Sequence, residues 1–523
     1  MAVAPTPLRP RRTPGVTLAE TADLLGVRCP EPAAAVLLTG VSLDSRTVLP
    51  GDLYAALPGQ HAHGADFAAA ALTAGAVAIL TDPDGERRLL ASGALGGTVP
   101  LLVGTDPRRM LGEIAALVYD HPADALQLIG ITGTNGKTTT AYLVESALRA
   151  AGRQTGLIGT VETRAGTTVL RSVRTTPEAT DLMAILAVMR EAGVQTVVME
   201  VSSHALAQHR VGGLRYDVAG FTNLSQDHLD FHADMAEYFD AKASLFTPEH
   251  AVTAVVCVDD DWGRRLAARA SVPVTTLRTQ DEGTAAQQPG DDELLIVPGP
   301  WPTFDLVGQS LTLNLRSALP GAFNVTNTAL AAGLLLAAGL TPDEVGIGLL
   351  TDPHVPGRME RVDTPGTGAP RVVVDYAHTP EAVRAALVAL RDTTPGRLVV
   401  VLGAGGDRDR AKRAAMGAEA ARGADLVVVT DDNPRGEDPA VIRAALLAGA
   451  RHGSAAAAVT EVGSRAAAIA EAVSRAGPDD TVLVLGKGHE RGQEIAGVVH
   501  PFDDVEACRA ALAGTPYRPG EQP

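Results

Sequence analysis

The run Gly-Ile-Thr-Gly-Thr-Asn-Gly-Lys-Thr-Thr-Thr, residues 130–140, narrows the fold more than any other part of the chain. Upstream, "LQLIGIT" is an apolar stretch suited to a strand buried on both faces, with Ile131 completing it. Downstream, Ala141, Val144, Leu148 and Ala151 recur at helical spacing, and Gly152 supplies a stop. Strand, glycine loop, helix is the context in which backbone N–H groups receive phosphate oxygens. A strict P-loop, G-x-x-x-x-G-K-[ST], would need glycine where Ile131 stands; the glycines fall at 130, 133 and 136. A tight turn with an incidental lysine would explain the glycines alone, but not their agreement with strand and helix. On the phosphate reading, N–H groups of Gly133, Thr134, Asn135 and Gly136 wrap phosphate oxygens. Lys137 adds charge, and the Thr138 hydroxyl suits Mg²⁺.

A chain of 523 residues exceeds one ordinary core and predicts about three domains. Hydrophobic residues at 46% and charged ones at 20% make it globular. With 44 basic against 61 acidic side chains, the net charge of −17 argues against a nucleic-acid partner. Cys29, Cys257 and Cys508 form no C-x-x-C pair, which argues against a disulfide framework or a cysteine zinc site and fits a reducing cytoplasm. "MAVAPTPLRPRRTPG" lacks an apolar core and reads as a disordered arm over 1–15. Apolar runs elsewhere are too short for membrane insertion.

Three blocks follow the arm, with expected bounds 16–122, 123–355 and 356–523. In the first, "DLYAAL" and "AVAIL" read as strands around the helix "GADFAAAALTAG", closed by Gly75. In the second, "TVVMEVSS", "VAGFTNL" and "AVVCVDDD" read as strands entering polar loops, which predicts a mostly parallel sheet with ligands at strand C-terminal ends. The stretch 278–303 reads as loop-rich and peripheral, and "TDPHVPGR", 351–358, as a hinge. In the third, "RVVVDYAH", "RLVVVLGAGGD", "ADLVVVTDDN" and "DTVLVLGKGHE" alternate with alanine-rich helices, a second doubly wound unit.

Several side chains suggest chemistry. Glu200 ends a buried strand, where a carboxylate needs a partner or a metal; a surface arginine would satisfy it equally. His228 and His232 stand at i,i+4, a zinc-like spacing on a helix, but Asp227 and Asp230 favour a harder cation such as Mg²⁺. Lys242 by itself reads as a solvated lysine. Arg408 in "GGDRD" and Arg435 in "DDNPR" are placed to grip carboxylates, and Glu490 in "GKGHE" to receive an ammonium. Two guanidinium forks and one carboxylate describe a pocket for a zwitterionic amino acid.

In order along the chain, "GTNGKTTT", "EVSSHALAQHRV", "FTNLSQDHLDFH", "GAFNVTNTALAA", "VPGRMERV", "VDYAHTP", "GAGGDRDRAKR", "DDNPR" and "GKGHE" resemble the motifs of the Mur ligase family, over nearly the whole chain after the arm. The resemblance implies an α/β protein of three domains: an N-terminal UDP-binding domain, a P-loop-type central ATPase domain and a Rossmann-like C-terminal domain. It implies an ATP-dependent, amide-forming ligase of peptidoglycan precursor synthesis, which activates a carboxylate as an acyl phosphate for attack by an amine. By residue match, Lys137, Lys242, His228 and Glu200 are catalytic. Gly133 to Thr139, Asn324, Arg358 and Asp375 contact ATP. Thr138, Glu200, His228 and Lys242, the last carbamylated by CO₂, hold Mg²⁺. Leu43, Ser45, Gln60, His61 and Ala62, with Thr175, Thr176, Ser202, Gln208 and Arg210, match contacts to UDP-N-acetylmuramoyl-L-alanyl-D-glutamate. Arg408, Asp432, Asn433, Pro434, Arg435, Gly486 and Glu490 match a diaminopimelate pocket. Arg435 favours diaminopimelate over lysine, because it can pair with a second carboxylate. Ala205, Ala411 and Ala414 depart from the family's usual glycine and proline, beside these contacts. A cytoplasmic monomer is expected. The lysine-adding relative is the alternative within the family. A folylpolyglutamate synthetase would leave "GGDRD", "DDNPR" and the "LDSR" block unexplained, and a nucleotide switch or amino-acid sensor leaves whole motifs without a role.

Overall fold

The structure is a computed structural model that describes residues 8–59, 61–96, 99–281, 288–363, 368–453 and 456–519. Among these residues, three parallel-cored sheets follow one another along the chain. The first has four parallel strands, Gly40–Ser42, Asp52–Ala56, Ala78–Thr81 and Leu101–Val103, in sequential order. Between its second and third strands the chain makes a short 3₁₀ turn and the helix Ala68–Ala74, closed by Gly75 at φ 111°.

The second sheet has eleven strands. Gln127–Thr132 runs up its middle, parallel to Thr196–Glu200 on one side and Tyr216–Phe221 on the other. From this strand the chain first moves to Thr155–Ile158, two places away, and later crosses to the opposite side. The strand's C-terminal end is thus a switch point, where open α/β sheets bind ligands. Apolar Ile129 and Ile131 are fully buried under helices Lys137–Ala150 and Ala322–Ala337. On the opposite face, Leu128 and Met199 join a core that continues into the first block through Leu111, Ile114 and Tyr119. First and second sheets therefore share apolar packing.

The third sheet sets five parallel strands behind an antiparallel edge, in the order Glu360–Val362, Arg371–Asp375, Thr481–Leu485, Leu398–Leu402, Leu426–Val429, Ala458–Glu461. Its four inner strands carry continuous Val/Leu runs because helices cover both faces. A hairpin, Gly492–Ile495 with Val498–Pro501, stands beside it.

Three expectations are corrected. The 278–303 stretch is not peripheral loop: Glu293–Pro298 is a parallel strand of the second sheet, and Leu295 and Ile296 are fully buried. Its flanking glycines, prolines and acids mask that short apolar core in the sequence. The arm is seated from residue 8 onward. Arg9 Nη2 pairs with Asp52 at 3.1 Å, and the Arg11 and Arg12 amides donate to the Glu191 carboxylate at 2.9 Å each. His228 and His232 do not lie on a helix. They occupy the turn before helix Met235–Ala243, which Asp234 caps.

Candidate active site

The phosphate-type loop is set by sterics. Gly133 has φ 143°, and a Cβ there would lie 1.9 Å from Thr222 Oγ1. Gly136 has φ 88°, and a Cβ would lie 2.3 Å from Asn327 Oδ1. Only glycine satisfies both demands. The loop is braced by the end of the neighbouring strand: Thr134 N donates to Asn223 O at 2.8 Å and Asn135 N to Asn223 Oδ1 at 3.0 Å. These two N–H groups therefore do not face a phosphate as expected. The unpaired donors gather at the first turn of helix Lys137–Ala150.

Lys137 Nζ curls back to the carbonyls of Gly133 and Thr134, at 2.9 and 2.8 Å. Burial lowers its pKa, opposed by Glu200 and Asp227. Thr138 Oγ1 donates to Glu200 Oε2 at 2.9 Å, and Thr160 donates to the same carboxylate through N (2.8 Å) and Oγ1 (2.9 Å). The buried strand-end carboxylate is thus satisfied by hydroxyls and an amide, ligand-like partners, and not by a surface arginine.

Lys242 is not a solvated lysine. It is 1% exposed, its Nζ donates to Gly133 O at 2.7 Å, and it lies 4.7 Å from the Tyr238 ring centre. Burial, then the charge of Lys137, holds its pKa well below the ordinary value against the opposing pull of Asp227. His228 is pushed down to about 3 by desolvation; Asp227 opposes, while His204, Lys137 and Lys242 add to the effect. His228 thus stays neutral, with a lone pair to offer. His232 is buried and neither of its ring nitrogens has a hydrogen-bond partner among the described residues. Among the described residues no three His, Cys, Asp or Glu side chains converge as a metal cluster. Any cation here would draw on Thr138 and Glu200 oxygens first, a hard donor set.

The third block closes on this loop. Arg358 Nη2 lies 3.3 Å from Thr138 Oγ1, and its guanidinium lies 4.2 Å from the Tyr376 ring centre. Asp375 receives the amides of Met359 (2.7 Å) and Ala377 (2.8 Å), so it braces the chain around Arg358; burial raises its pKa. Asp227 approaches His378 at 3.7 Å and Lys412 at 3.8 Å, both from the third block. Burial works against its ionisation, but the hydrogen bond from His378 and the surrounding positive charge hold the carboxyl far below the usual range. A cavity of about 560 Å³ lies between the two sheets, lined by Thr134–Thr139, Glu200, Asn324, Arg358, Asp375 and Tyr376, among others. That volume suits a nucleotide-sized ligand.

Toward the first block, Thr176 Oγ1 donates to Glu200 O (2.9 Å) and accepts from Ser202 N (3.1 Å), while the Thr160 and Thr175 hydroxyls lie 3.1 Å apart. Arg210 reaches Thr176 O (3.3 Å) and Gln208 Oε1 (2.6 Å). Glu178 gathers Arg210 (3.0 Å), Arg108 (3.4 Å) and Arg174 (3.8 Å), an arginine-rich wall suited to an anionic ligand. Leu43 and Ser45 follow the strand Gly40–Ser42, and exposed His61 and Ala62 follow Asp52–Ala56. Gln60 lies outside the described residues.

In the third block, Asn433 Nδ2 donates to Glu490 Oε2 at 2.7 Å. Arg435, at φ 53°, donates through Nη1 to Gly406 O at 2.7 Å and lies 3.5 Å from Glu494. Asp432 packs against Gly486, whose φ of 111° and lack of a Cβ let that carboxylate approach. Pro434 fills the turn between Asn433 and Arg435. Arg408 pairs with Asp230 of the second block at 3.4 Å. Thr160, His378, Lys412 and Lys487 are site residues that the sequence reading does not name. The last three sit inside quoted motifs, and for Lys487 a charged side chain between two glycines at a strand end is the available signal.

Residues 37–119, 131–335 and 357–488 match the models for the Mur ligase family catalytic domain, the Mur ligase middle domain and the Mur ligase glutamate ligase domain. UDP-N-acetylmuramoyl-L-alanyl-D-glutamate–2,6-diaminopimelate ligase of Streptomyces avermitilis is 53% identical, covering 98% of this chain and 99% of its own. The enzyme of the same name from Corynebacterium efficiens is 47% identical, covering 98% and 97%. A solved structure of a UDP-N-acetylmuramoyl-L-alanyl-D-glutamate–2,6-diaminopimelate ligase superposes with a TM-score of 0.64 at 30% identity, over 96% of this chain and 99% of the other. The chain belongs to the Mur ligase family.

Proposed function

We propose that the protein joins 2,6-diaminopimelate to UDP-N-acetylmuramoyl-L-alanyl-D-glutamate, using ATP to activate the glutamate carboxylate as an acyl phosphate. The observation that carries this reading is the junction of two sheets at one cleft, where Arg358 and Lys412 of the third block meet Thr138 and Asp227 of the second. An amino-acid pocket stands on that same third block. Relatives named for this reaction, at 53% and 47% identity, support the same substrates.

ATP, when bound, supplies the phosphoryl group that turns a poor electrophile into one an amine can attack. The chain's part is to bring two anions together, which requires neutralisation at the phosphates. Lys137 and the first-turn amides of its helix bind them. Thr138, Glu200 and neutral His228 would hold Mg²⁺, and the hydroxyl–carboxylate contact at 2.9 Å fits such an ion. Arg358 and Asn324 bind ATP from the two sides of the cavity, and Asp375 positions Arg358. After phosphoryl transfer, the amine of diaminopimelate attacks the acyl carbon. Phosphate leaves, and the amine gives up its proton.

Lys242 is carbamylated in this reading. Carbon dioxide adds only to a neutral amine, releasing a proton, and burial shifts Lys242 toward that form. The product is a carboxylate beside Lys137, able to join the Mg²⁺ ligands. Leu43, Ser45, Gln60, His61 and Ala62 hold the nucleotide end of the sugar peptide, and Thr175, Thr176, Ser202, Gln208 and Arg210 its peptide end. Asp432, Asn433, Pro434, Arg435, Gly486 and Glu490, with Arg408, take diaminopimelate, and Arg435 pairs with its distal carboxylate. The domains divide at 16–122, 123–355 and 356–523. The reaction runs in the cytoplasm on a monomer; no helix among the described residues is long and apolar enough to cross a membrane. Incubation with ATP, Mg²⁺, the UDP-dipeptide and either diaminopimelate or lysine tests this. The diaminopimelate tripeptide is the expected mass, and equally efficient lysine incorporation contradicts the assignment.

A further inference from the structure

Lys487 is 0% exposed, one residue beyond the Gly486 kink that ends strand Thr481–Leu485. Its Nζ donates to Asn433 Oδ1 at 3.0 Å and to Glu490 Oε2 at 3.2 Å. Asn433 Nδ2 donates to the same Glu490 oxygen, closing a triangle, and the Glu494 amide donates to Asn433 Oδ1 at 3.0 Å. An ammonium only donates and a carboxylate only accepts. The triangle therefore admits one orientation of the Asn433 amide: oxygen toward Lys487, NH₂ toward Glu490. Glu490 Oε2 is engaged twice, while Oε1 has no hydrogen-bond partner among the described residues.

The lysine is held from behind as well. Leu485 O, two residues earlier, accepts from Arg465 Nη2 at 2.9 Å, and Arg465 is itself paired with Asp504 through two contacts of 2.7 Å, both side chains fully buried. The strand end that launches Lys487 is thereby fixed. A purely structural role in this spot would not need a charge, since an apolar side chain of similar length fills the same volume without the desolvation cost of a buried ammonium.

We infer that Lys487 is a positioning residue for the incoming amino acid: it orients Asn433 and holds one oxygen of Glu490, so that the other is presented to the substrate's ammonium. This rests on the reading of the pocket as the amino-acid site. Without Lys487, Asn433 keeps only the Glu494 amide at its oxygen and Glu490 Oε2 loses its ammonium, so the carboxylate is freer to swing and the substrate loses a fixed acceptor.

The test uses the full chain as wild type, Lys487→Met, Glu490→Gln and the double variant. KM is measured for diaminopimelate, ATP and the UDP-dipeptide separately. Lys487→Met is expected to raise the diaminopimelate KM about thirtyfold, the scale for losing one partner of a buried charged pair. The other two KM values stay within about twofold, a split that general misfolding would not give. Because Lys487 acts through Glu490, the double variant is expected to be no worse than Glu490→Gln alone. An unchanged diaminopimelate KM in Lys487→Met overturns the inference, as does a double variant in which the two losses multiply. Should Lys487→Met fail to fold, the double variant leaves neither charge unpaired, and its comparison with Glu490→Gln decides by itself. Wild type assayed with both diaminopimelate and lysine keeps the questions apart: if it uses lysine, the substrate assignment falls, and the same comparison is made with lysine.

Discussion

The Nζ of Lys242 lies 2.7 Å from the carbonyl oxygen of Gly133, so a buried lysine on helix Met235–Ala243 closes on the first glycine of the phosphate loop. Burial lowers its pKa well below the ordinary value and so favours the neutral amine, the form that takes up CO₂. Lys242→Ala is expected to lose about a hundredfold or more in kcat, with part of the activity restored by short carboxylic acids. Intact-mass measurement at neutral pH should show a mass increment that disappears on acidification. Full activity of Lys242→Ala would remove the carbamate from the mechanism.

Arg435 holds a left-handed backbone angle of φ 53° beside the Asn433–Glu490 contact, a conformation that is costly for a residue with a side chain. The strained turn aims its guanidinium at Gly406 and Glu494. Arg435→Ala should raise the KM for diaminopimelate about a hundredfold while leaving that for ATP unchanged, narrowing the preference over lysine. Competition between the two amino acids, read by product mass, checks it.

Much of the second sheet was legible, because its strands are apolar runs punctuated by glycine loops and its helices keep a helical period. Ile131 falls inside the strand where it was read, and Gly75 closes its helix as expected. What stayed hidden depends on contacts between sheets. Asp227 meets His378 and Lys412 only because the third block folds over the second, roughly 150 and 185 residues later in the chain, and no local spacing encodes that. Lys242 looked solvated because the polar residues around it conceal a helix face packed against the phosphate loop. The Glu293–Pro298 strand was hidden by its polar flanks.

The arm's Arg9 pairs with Asp52 in the first block, with side chains only 12% and 3% exposed, and Asp52 is raised by burial despite that partner. Arg9→Met leaves a buried carboxylate without its cation and is expected to cost about 3 kcal/mol. Arg9→Met with Asp52→Asn should recover much of the loss. Denaturant titration of the three proteins is the check.

Glu437 ties the loop at Asp407 to that at Arg435, accepting from Arg413 at 2.8 and 3.1 Å and from the Asp407 amide at 2.6 Å. The Arg413 hydrogen bonds, then the Asp407 amide, lower its pKa from 4.5 to about 2. A depressed folded value contributes stability that is complete above the unfolded pKa and lost as pH falls through the folded one. Glu437→Gln should therefore unfold at lower denaturant than wild type at pH 7, with the gap closing as pH falls from about 4.5 toward 2. A gap constant over that range would contradict the role given to its charge.

The central claim is that ATP activates the glutamate carboxylate for attack by diaminopimelate. It is tested most directly with UDP-N-acetylmuramoyl-L-alanyl-D-glutamate carrying ¹⁸O in the γ-carboxylate of its glutamate. Incubated with the protein, ATP, Mg²⁺ and diaminopimelate, the substrate should give the diaminopimelate tripeptide, with one ¹⁸O per turnover appearing in the released phosphate. Release of unlabelled phosphate, or ATP consumption with no tripeptide, would contradict it.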